Sequence, residues 1–147
     1  MKQSRKNYRC IIVDDDPNFI FLLSNYLKEV PKLALIKFYL NPVRAIDDFD
    51  SFEDIDFLFL DIRMGNSSGL DVAVSLRPKV KYIVFITGCN QFALDAFQAG
   101  GDQYLVKPVF FSKFLDTINN IIRKEYKNNL PRFSPQHILS VPKLQRN

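Results

Sequence analysis

The chain has only two cysteines and no long hydrophobic run, and these absences exclude several classes of protein. Cys10 lies in an apolar run and Cys89 just after one, which fits neither a disulfide framework nor a metal-binding cluster. No window of about 18 consecutive apolar residues occurs, so no transmembrane helix is predicted. The basic N-terminus precedes an apolar run that is too short for the core of a signal peptide. We therefore expect a cytoplasmic protein with no membrane partner.

Internal repeats and low-complexity segments are also lacking, and the chain has the size of one domain. Of its 147 residues, 47% are hydrophobic and 24% are charged, as in an ordinary globular domain. The net charge of +4 comes from the two ends, since residues 1–9 carry four basic side chains and no acid, and residues 123–147 carry six and one. Basic ends can contact nucleic acid or membrane, but charges this sparse are more typical of solvated tails.

The sequence does contain a regular alternation of short apolar runs and helical patterns. Five runs rich in Val, Ile and Phe predict buried strands, at Tyr8–Val13, Leu33–Phe38, Phe57–Leu60, Tyr82–Ile86 and Tyr104–Val106. The second of these is the least distinctive, because "KLALIKFYL" fits a helix almost as well. Helical patterns are predicted to follow, beginning at Pro17, Asn41, Leu70, Asn90 and Phe111.

Five strand–helix pairs predict an α/β fold with a parallel sheet, right-handed crossovers and helices on both faces. The alternation stops after Lys127, and the following segment has three prolines and no sustained period. We therefore expect one domain over residues 1–127 and a linker or C-terminal tail over residues 128–147. Ligands of such sheets lie beyond the carboxyl ends of the strands.

Polar side chains occupy the carboxyl ends of four predicted strands. The first strand is followed by Asp14, Asp15 and Asp16, the third by Asp61, the fourth by Thr87 and the fifth by Lys107. Clustered carboxylates suit a hard cation such as Mg²⁺, and a carboxylate beside Mg²⁺ can attack phosphorus to give an acyl phosphate. An ammonium and a hydroxyl are then suited to binding the phosphoryl oxygens.

Each of these residues also has a purely structural interpretation. Asp16 before a proline is an ordinary helix N-cap, and Asp61 could cap or turn the loop that follows it. Thr87 fits a strand because it is β-branched, Lys107 could be solvated, and Tyr104 could belong to the core. Taken together, these interpretations leave unexplained why the polar residues share one end of alternating strands.

The same residues resemble the receiver domain of two-component response regulators. The resemblance runs from about Tyr8 to Lys127 and consists, in order, of "VDDD", "FLFLDIRM", Gly69 eight residues after Asp61, "FITG" and "YLVKP". It implies a flavodoxin-like, doubly wound (βα)5 fold with strand order 2-1-3-4-5. It also implies that Asp61 accepts a phosphoryl group from a sensor histidine kinase or phosphotransfer protein, and that the domain is no enzyme beyond promoting its own phosphorylation and dephosphorylation.

The resemblance further implies roles for the residues around the acceptor. Asp15 and Asp61 would bind Mg²⁺ directly together with the backbone carbonyl of Arg63, while Asp14 would act largely through water. Lys107 would bind the phosphoryl group and precede a cis-proline. Thr87 and Tyr104 would form a switch pair that changes the surface of the fourth helix, fifth strand and fifth helix, from about Asn90 to Lys127.

The segment "FALDAFQAGGDQYLVKP" looks especially like the receivers of Lyt-type (LytTR) transcription regulators. In such regulators phosphorylation commonly favours a homodimer, and DNA is bound through an output domain of roughly 100 further residues, which this sequence does not contain. Two departures from the family pattern are Gly65, where proline is usual, and Gly88, where alanine is common. Gly65 should loosen the loop that supplies the Arg63 carbonyl.

Three other functions remain as alternatives. A haloacid-dehalogenase-like phosphatase also forms an aspartyl phosphate, but Asn18 breaks its D-x-D-x-[TV] pattern and its later acidic motif is missing. A flavin-binding module is disfavoured because the first strand leads into acids rather than a phosphate-binding loop. The third alternative is a stand-alone receiver, either a phosphorelay domain or one that binds partners without phosphorylation.

Overall fold

A computed structural model describes residues 7–64, 67–88 and 93–129 of the chain. Its main sheet contains five strands, namely β1 (Tyr8–Val13), β2 (Leu33–Tyr39), β3 (Ile55–Leu60), β4 (Val80–Thr87) and β5 (Gln103–Val106). The α-helices in these ranges are α1 (Pro17–Lys28), α2 (Pro42–Asp48), α3 (Gly69–Leu76), α4 (Ala93–Gln98) and α5 (Phe111–Asn128). Short 3₁₀ turns at Phe49–Ser51 and Arg77–Lys79 follow α2 and α3, and the segments Arg63–Met64 and Ser67–Ser68 pair antiparallel after β3.

The five strands are parallel and lie in the order β2-β1-β3-β4-β5. This confirms the predicted doubly wound fold, in which the chain passes from the edge strand β2 over β1 to the central strand β3 and then continues to the opposite edge. Val13 pairs with Leu60, and Thr87 pairs with Val106, so the carboxyl ends of neighbouring strands are level. That alignment brings the residues after each strand to the same edge of the sheet.

Burial explains why the strands are nearly continuous in apolar residues. All six residues of β3 are buried, as expected of a central strand covered on both faces. In the edge strand β2, by contrast, Lys37 and Phe38 are exposed. The core includes the buried side chains of Ile11, Leu58 and Phe85 from three adjacent strands.

Helix boundaries follow the expected capping residues. The carboxylate of Asp16 accepts a hydrogen bond from the amide of Asn18 at 3.0 Å, which confirms it as the N-cap of α1. Asn41 caps α2 in the same way through the amide of Val43. None of the described helices is both long and apolar enough to cross a membrane.

The chain divides into two compact units, Met1–Phe114 and Leu115–Asn147. The first contains the whole sheet and helices α1 to α4, and the second contains most of α5. Helix α5 ends at Asn128, next to the predicted end of the domain at residue 127. The predicted tail beyond residue 129 lies outside the described residues, so the domain boundary stays a prediction.

Arg77 fixes the turn between α4 and β5 to the start of β4. Its guanidinium donates hydrogen bonds to the carbonyl of Gly100 at 2.7 Å, to the carboxylate of Asp102 at 3.0 Å and to the carbonyl of Val80 at 2.9 Å. The same Asp102 oxygen accepts the amide of Ile83 at 2.8 Å. Gly100 has a φ of +99°, a conformation that suits glycine after a helix. The C-terminal end of α4 is therefore anchored by a planar, multidentate donor.

Candidate functional site

Backbone hydrogen bonds bring the candidate residues to one edge of the sheet. The amide of Asp14 donates to the carbonyl of Tyr39 at 3.0 Å, and the amide of Asp61 donates to the carbonyl of Val13 at 3.1 Å. These bonds extend the ladders by one residue beyond β1 and β3. Both carboxylates therefore project from adjacent strand ends, as the sequence order suggested.

Three carboxylates form a compact cluster at this edge. One oxygen from each of Asp14, Asp15 and Asp61 lies within 4.8 Å of the others. Asp14 and Asp61 are 2% and 7% exposed, whereas Asp15 faces solvent. Such an oxygen-only donor set, open on one side, fits Mg²⁺, which keeps several waters and binds one or two carboxylates.

The electrostatics of Asp14 support this interpretation. Burial raises its pKa to about 6, although hydrogen bonds from the amide of Asp16 and from Lys107 act in the opposite direction, and the nearby Asp61 charge adds to the increase. The Asp16 amide donates to Oδ1 of Asp14 at 2.9 Å. A buried acid whose charge is this costly is one that a cation would stabilise.

Lys107 reaches the acid cluster from the end of β5. Its Nζ atom donates to Oδ2 of Asp14 at 2.9 Å and to Oδ2 of Asp61 at 3.4 Å. Burial works against its positive charge, but the hydrogen bonds and charges of the two carboxylates outweigh burial and raise its pKa. The Lys107–Pro108 peptide bond is cis, as expected. The Lys107 amide donates to the carbonyl of Thr87 at 2.7 Å, which fixes the start of the loop.

The loop after β3 holds the backbone of Asp61 close to α3. The amide of Gly69 donates to the carbonyl of Ile62 at 2.5 Å, so the chain returns to the residue next to Asp61 within eight residues. The amide of Arg63 donates to Oδ1 of Asp61 at 3.2 Å, leaving Oδ2 toward Lys107. Arg63 itself is exposed, and the role of its carbonyl as a metal ligand stays a prediction. Gly65 lies outside the described residues.

The expected switch pair lies on adjacent strands. Thr87 is the last residue of β4 and is 2% exposed, while Tyr104 is half-buried against the core. Tyr104 pairs with Phe85 and is therefore two strand positions behind Thr87. Gly88, the next residue, has open space where a Cβ atom would lie, so an alanine would fit there. The switching role of the pair stays a prediction.

Phe19, in the first turn of α1, lies in this site although its sequence context predicts only the apolar face of a helix. Its ring centroid lies 4.3 Å from Nζ of Lys107. Its position three residues after the capping Asp16 was a usable signal, because the first turn of α1 begins at the acidic edge of the sheet.

Comparison with known proteins shows the family of this chain. The family model described as "Response regulator receiver domain" matches residues 10–119. An uncharacterized response regulatory protein of Vibrio cholerae is 30% identical over 129 residues, which cover 86% of this chain and 49% of that protein. The transcriptional regulatory protein BtsR of Escherichia coli is 30% identical over 123 residues, which cover 83% of this chain and 51% of BtsR.

Among solved structures, the response regulatory domain of protein mrkE from Klebsiella pneumoniae superposes with a TM-score of 0.73 at 21% identity, covering 81% of this chain and 98% of that domain. Fold and family match point the same way: the chain belongs to the response regulator receiver domain family of two-component signalling. It spans about half the length of the curated relatives described here.

Proposed function

We propose that this chain receives a phosphoryl group on Asp61 from a sensor histidine kinase or a phosphotransfer protein. The observation that supports this most directly is the position of the Asp61 carboxylate, which is buried beside two further acids and within reach of the Lys107 ammonium. In the transfer, an Asp61 oxygen forms a bond to phosphorus while the phosphorus–nitrogen bond to the donor histidine breaks. The imidazole leaves with the electron pair of that bond.

The residues present fit a bound Mg²⁺, held by Asp15 and Asp61, by the Arg63 carbonyl and, through water, by Asp14. When bound, the ion would neutralise the carboxylates and draw charge from the phosphoryl oxygens. Lys107 supplies a second positive charge to the phosphoryl oxygens, and its position between Asp14 and Asp61 keeps it at the reacting atoms. In this way the domain promotes the transfer of a phosphoryl group from the donor to its own Asp61.

A phosphatase of the haloacid-dehalogenase type is not favoured. Its nucleophile would be on the first strand, in a D-x-D-x-[TV] pattern that Asn18 breaks at the last position. The family match also covers the receiver motifs as a continuous set.

Phosphorylation would be read out through Thr87, Tyr104 and the surface of α4, β5 and α5. Exposed apolar side chains already occur on this part of the chain, at Phe97 on α4, Val106 on β5 and Phe110 in the loop that follows. They support a homodimer that forms more tightly after phosphorylation. The proposed function includes the control of transcription through an output domain of the Lyt type. The proposed location is the cytoplasm, where the donor kinase is phosphorylated.

Intact mass after incubation with acetyl phosphate tests the proposal. With Mg²⁺ the wild-type chain should gain one phosphoryl group, and Asp61→Asn should gain none, because an amide is not a nucleophile. The exposed Asp71 on α3 provides a control, since Asp71→Asn should label like the wild type. Labelling that persists in Asp61→Asn, or that proceeds equally in EDTA, contradicts the assignment.

A further inference from the structure

Phe19 lies against the charged end of Lys107, and the transfer chemistry described above makes no use of it. The Nζ atom lies 4.3 Å from the centre of its ring, well inside the distance of about 6 Å at which an ammonium is attracted to an aromatic face. Phe19 is 7% exposed, so this contact is largely shielded from water. Pro17 and the capping Asp16 fix the first turn of α1 and hence the position of the ring.

We propose that Phe19 is a positioning residue for the phosphorylation reaction, with its ring holding the Lys107 ammonium at the phosphoryl site. The proposal rests on the proposed function of Asp61. An ammonium has three N–H donors, and here Asp14 and Asp61 accept hydrogen bonds from Nζ. The ring attracts the charge through its quadrupole and offers no carboxylate-like acceptor, so the remaining donor stays available for a phosphoryl oxygen.

The ring matters most while the new bond forms. As an Asp61 oxygen becomes bonded to phosphorus, that carboxylate loses its charge, and Lys107 exchanges this partner for the anionic phosphoryl oxygens. Asp14 and the ring then keep the ammonium beside the phosphoryl oxygens. An aliphatic side chain at position 19 would fill a similar volume but would provide no such attraction. The electron density of the ring, rather than its packing, should therefore affect the rate at which Asp61 is phosphorylated.

Fluorination of the ring separates electronics from packing, because each fluorine weakens the attraction of the ring face while the side chain changes little in shape. The full chain is prepared with phenylalanine carrying none, one, two, three or five fluorines at position 19, by nonsense suppression. Initial rates of labelling by acetyl phosphate with Mg²⁺ are then measured by intact mass. We expect a stepwise fall in rate, about fivefold over the series. Phe19→Leu should show a similar loss of rate, and Phe19→Tyr should keep most of the wild-type rate.

Phe49 is the matched control, since it is 2% exposed in the core and its ring lies against that of Phe52, with centroids 5.9 Å apart. The same fluorinated series at position 49 should leave the rate unchanged. Equal rates across the position-19 series, with a wild type that is labelled normally, would overturn the role of Phe19 and leave the phosphoacceptor function intact. So would an equal fall at both positions. A wild type that is not labelled would overturn the phosphoacceptor function itself, and this inference with it.

Discussion

A Cβ atom at Gly69 would lie 2.0 Å from the backbone carbonyl oxygen of Asp61. Side-chain carbons do not approach other atoms that closely, and the obstacle is backbone rather than a flexible side chain. The φ of Gly69 lies outside the left-handed region, so the requirement for glycine comes from space alone. The absence of a side chain at position 69 is thus what allows α3 to start against the backbone of Asp61.

Replacing Gly69 with alanine should therefore lower the free energy of unfolding. Overpacking of this kind costs about 1–3 kcal/mol, measurable by urea denaturation. Gly88→Ala is the control, because a Cβ atom there meets nothing within 4 Å. That variant should match the wild type or gain up to about 1 kcal/mol from a less flexible unfolded chain. Equal losses in both variants would contradict the steric explanation.

Mg²⁺ should raise the melting temperature, because it binds the folded acid cluster and relieves repulsion among Asp14, Asp15 and Asp61. At a concentration a hundredfold above Kd, linkage predicts a rise of roughly 5–10 °C. Asp15→Asn should remove most of that rise. Asp16→Asn should keep it, since asparagine also caps a helix. A melting temperature that does not respond to millimolar Mg²⁺ would exclude a useful metal site.

The raised pKa of Asp14 predicts a pH dependence of stability in the metal-free protein. The folded state holds this proton up to about pH 6, whereas the unfolded chain releases it near pH 4. Stability should therefore fall as the pH rises from 4 to 6. Asp14→Asn should be nearly as stable as wild type at pH 4 and more stable by about 1–3 kcal/mol at pH 7.5. Urea denaturation in EDTA at the two pH values measures the stability of the wild type and of Asp14→Asn. A stability difference between them that does not depend on pH would contradict the raised pKa of Asp14.

Activation should increase self-association if Thr87 transmits the modification of Asp61. We expect a mainly monomeric protein that dimerises when Asp61 carries beryllofluoride, as measured by sedimentation. Thr87→Ala should still accept the phosphoryl group but should dimerise less. An unchanged mass on activation, in this chain and in a longer one, would instead favour a stand-alone phosphorelay receiver.

The predicted strands and the observed ones agree closely because buried parallel strands are nearly continuous in apolar residues, although the edge strand β2 carries this pattern only weakly. The disagreements have identifiable causes. β3 begins at Ile55 rather than Phe57, because Asp56 interrupts the apolar run although it is buried and accepts the amide of Arg9 at 2.9 Å. β4 begins at Val80 rather than Tyr82, because Lys81 faces solvent.

The edge of the sheet where the acids meet followed from strand order, but contacts between distant side chains did not. Phe19 and Lys107 belong to different elements, and an apolar residue in a helical stripe carries no sign of a charged neighbour. The cost of ionising Asp14 likewise depends on its burial to 2% exposure, which no local pattern encodes. Such contacts arise only when the tertiary fold is complete.

The anchoring of Gly100 by Arg77 has a mechanical consequence for signalling. One guanidinium bridges the two elements, because Arg77 donates hydrogen bonds to the carbonyl of Gly100, just after α4, and to the carbonyl of Val80, at the start of β4. The opposite end of this helix follows Thr87 in the chain and has no part in that attachment. We therefore expect any displacement of α4 to be smallest at Gly100 and to increase along the helix toward Ala93.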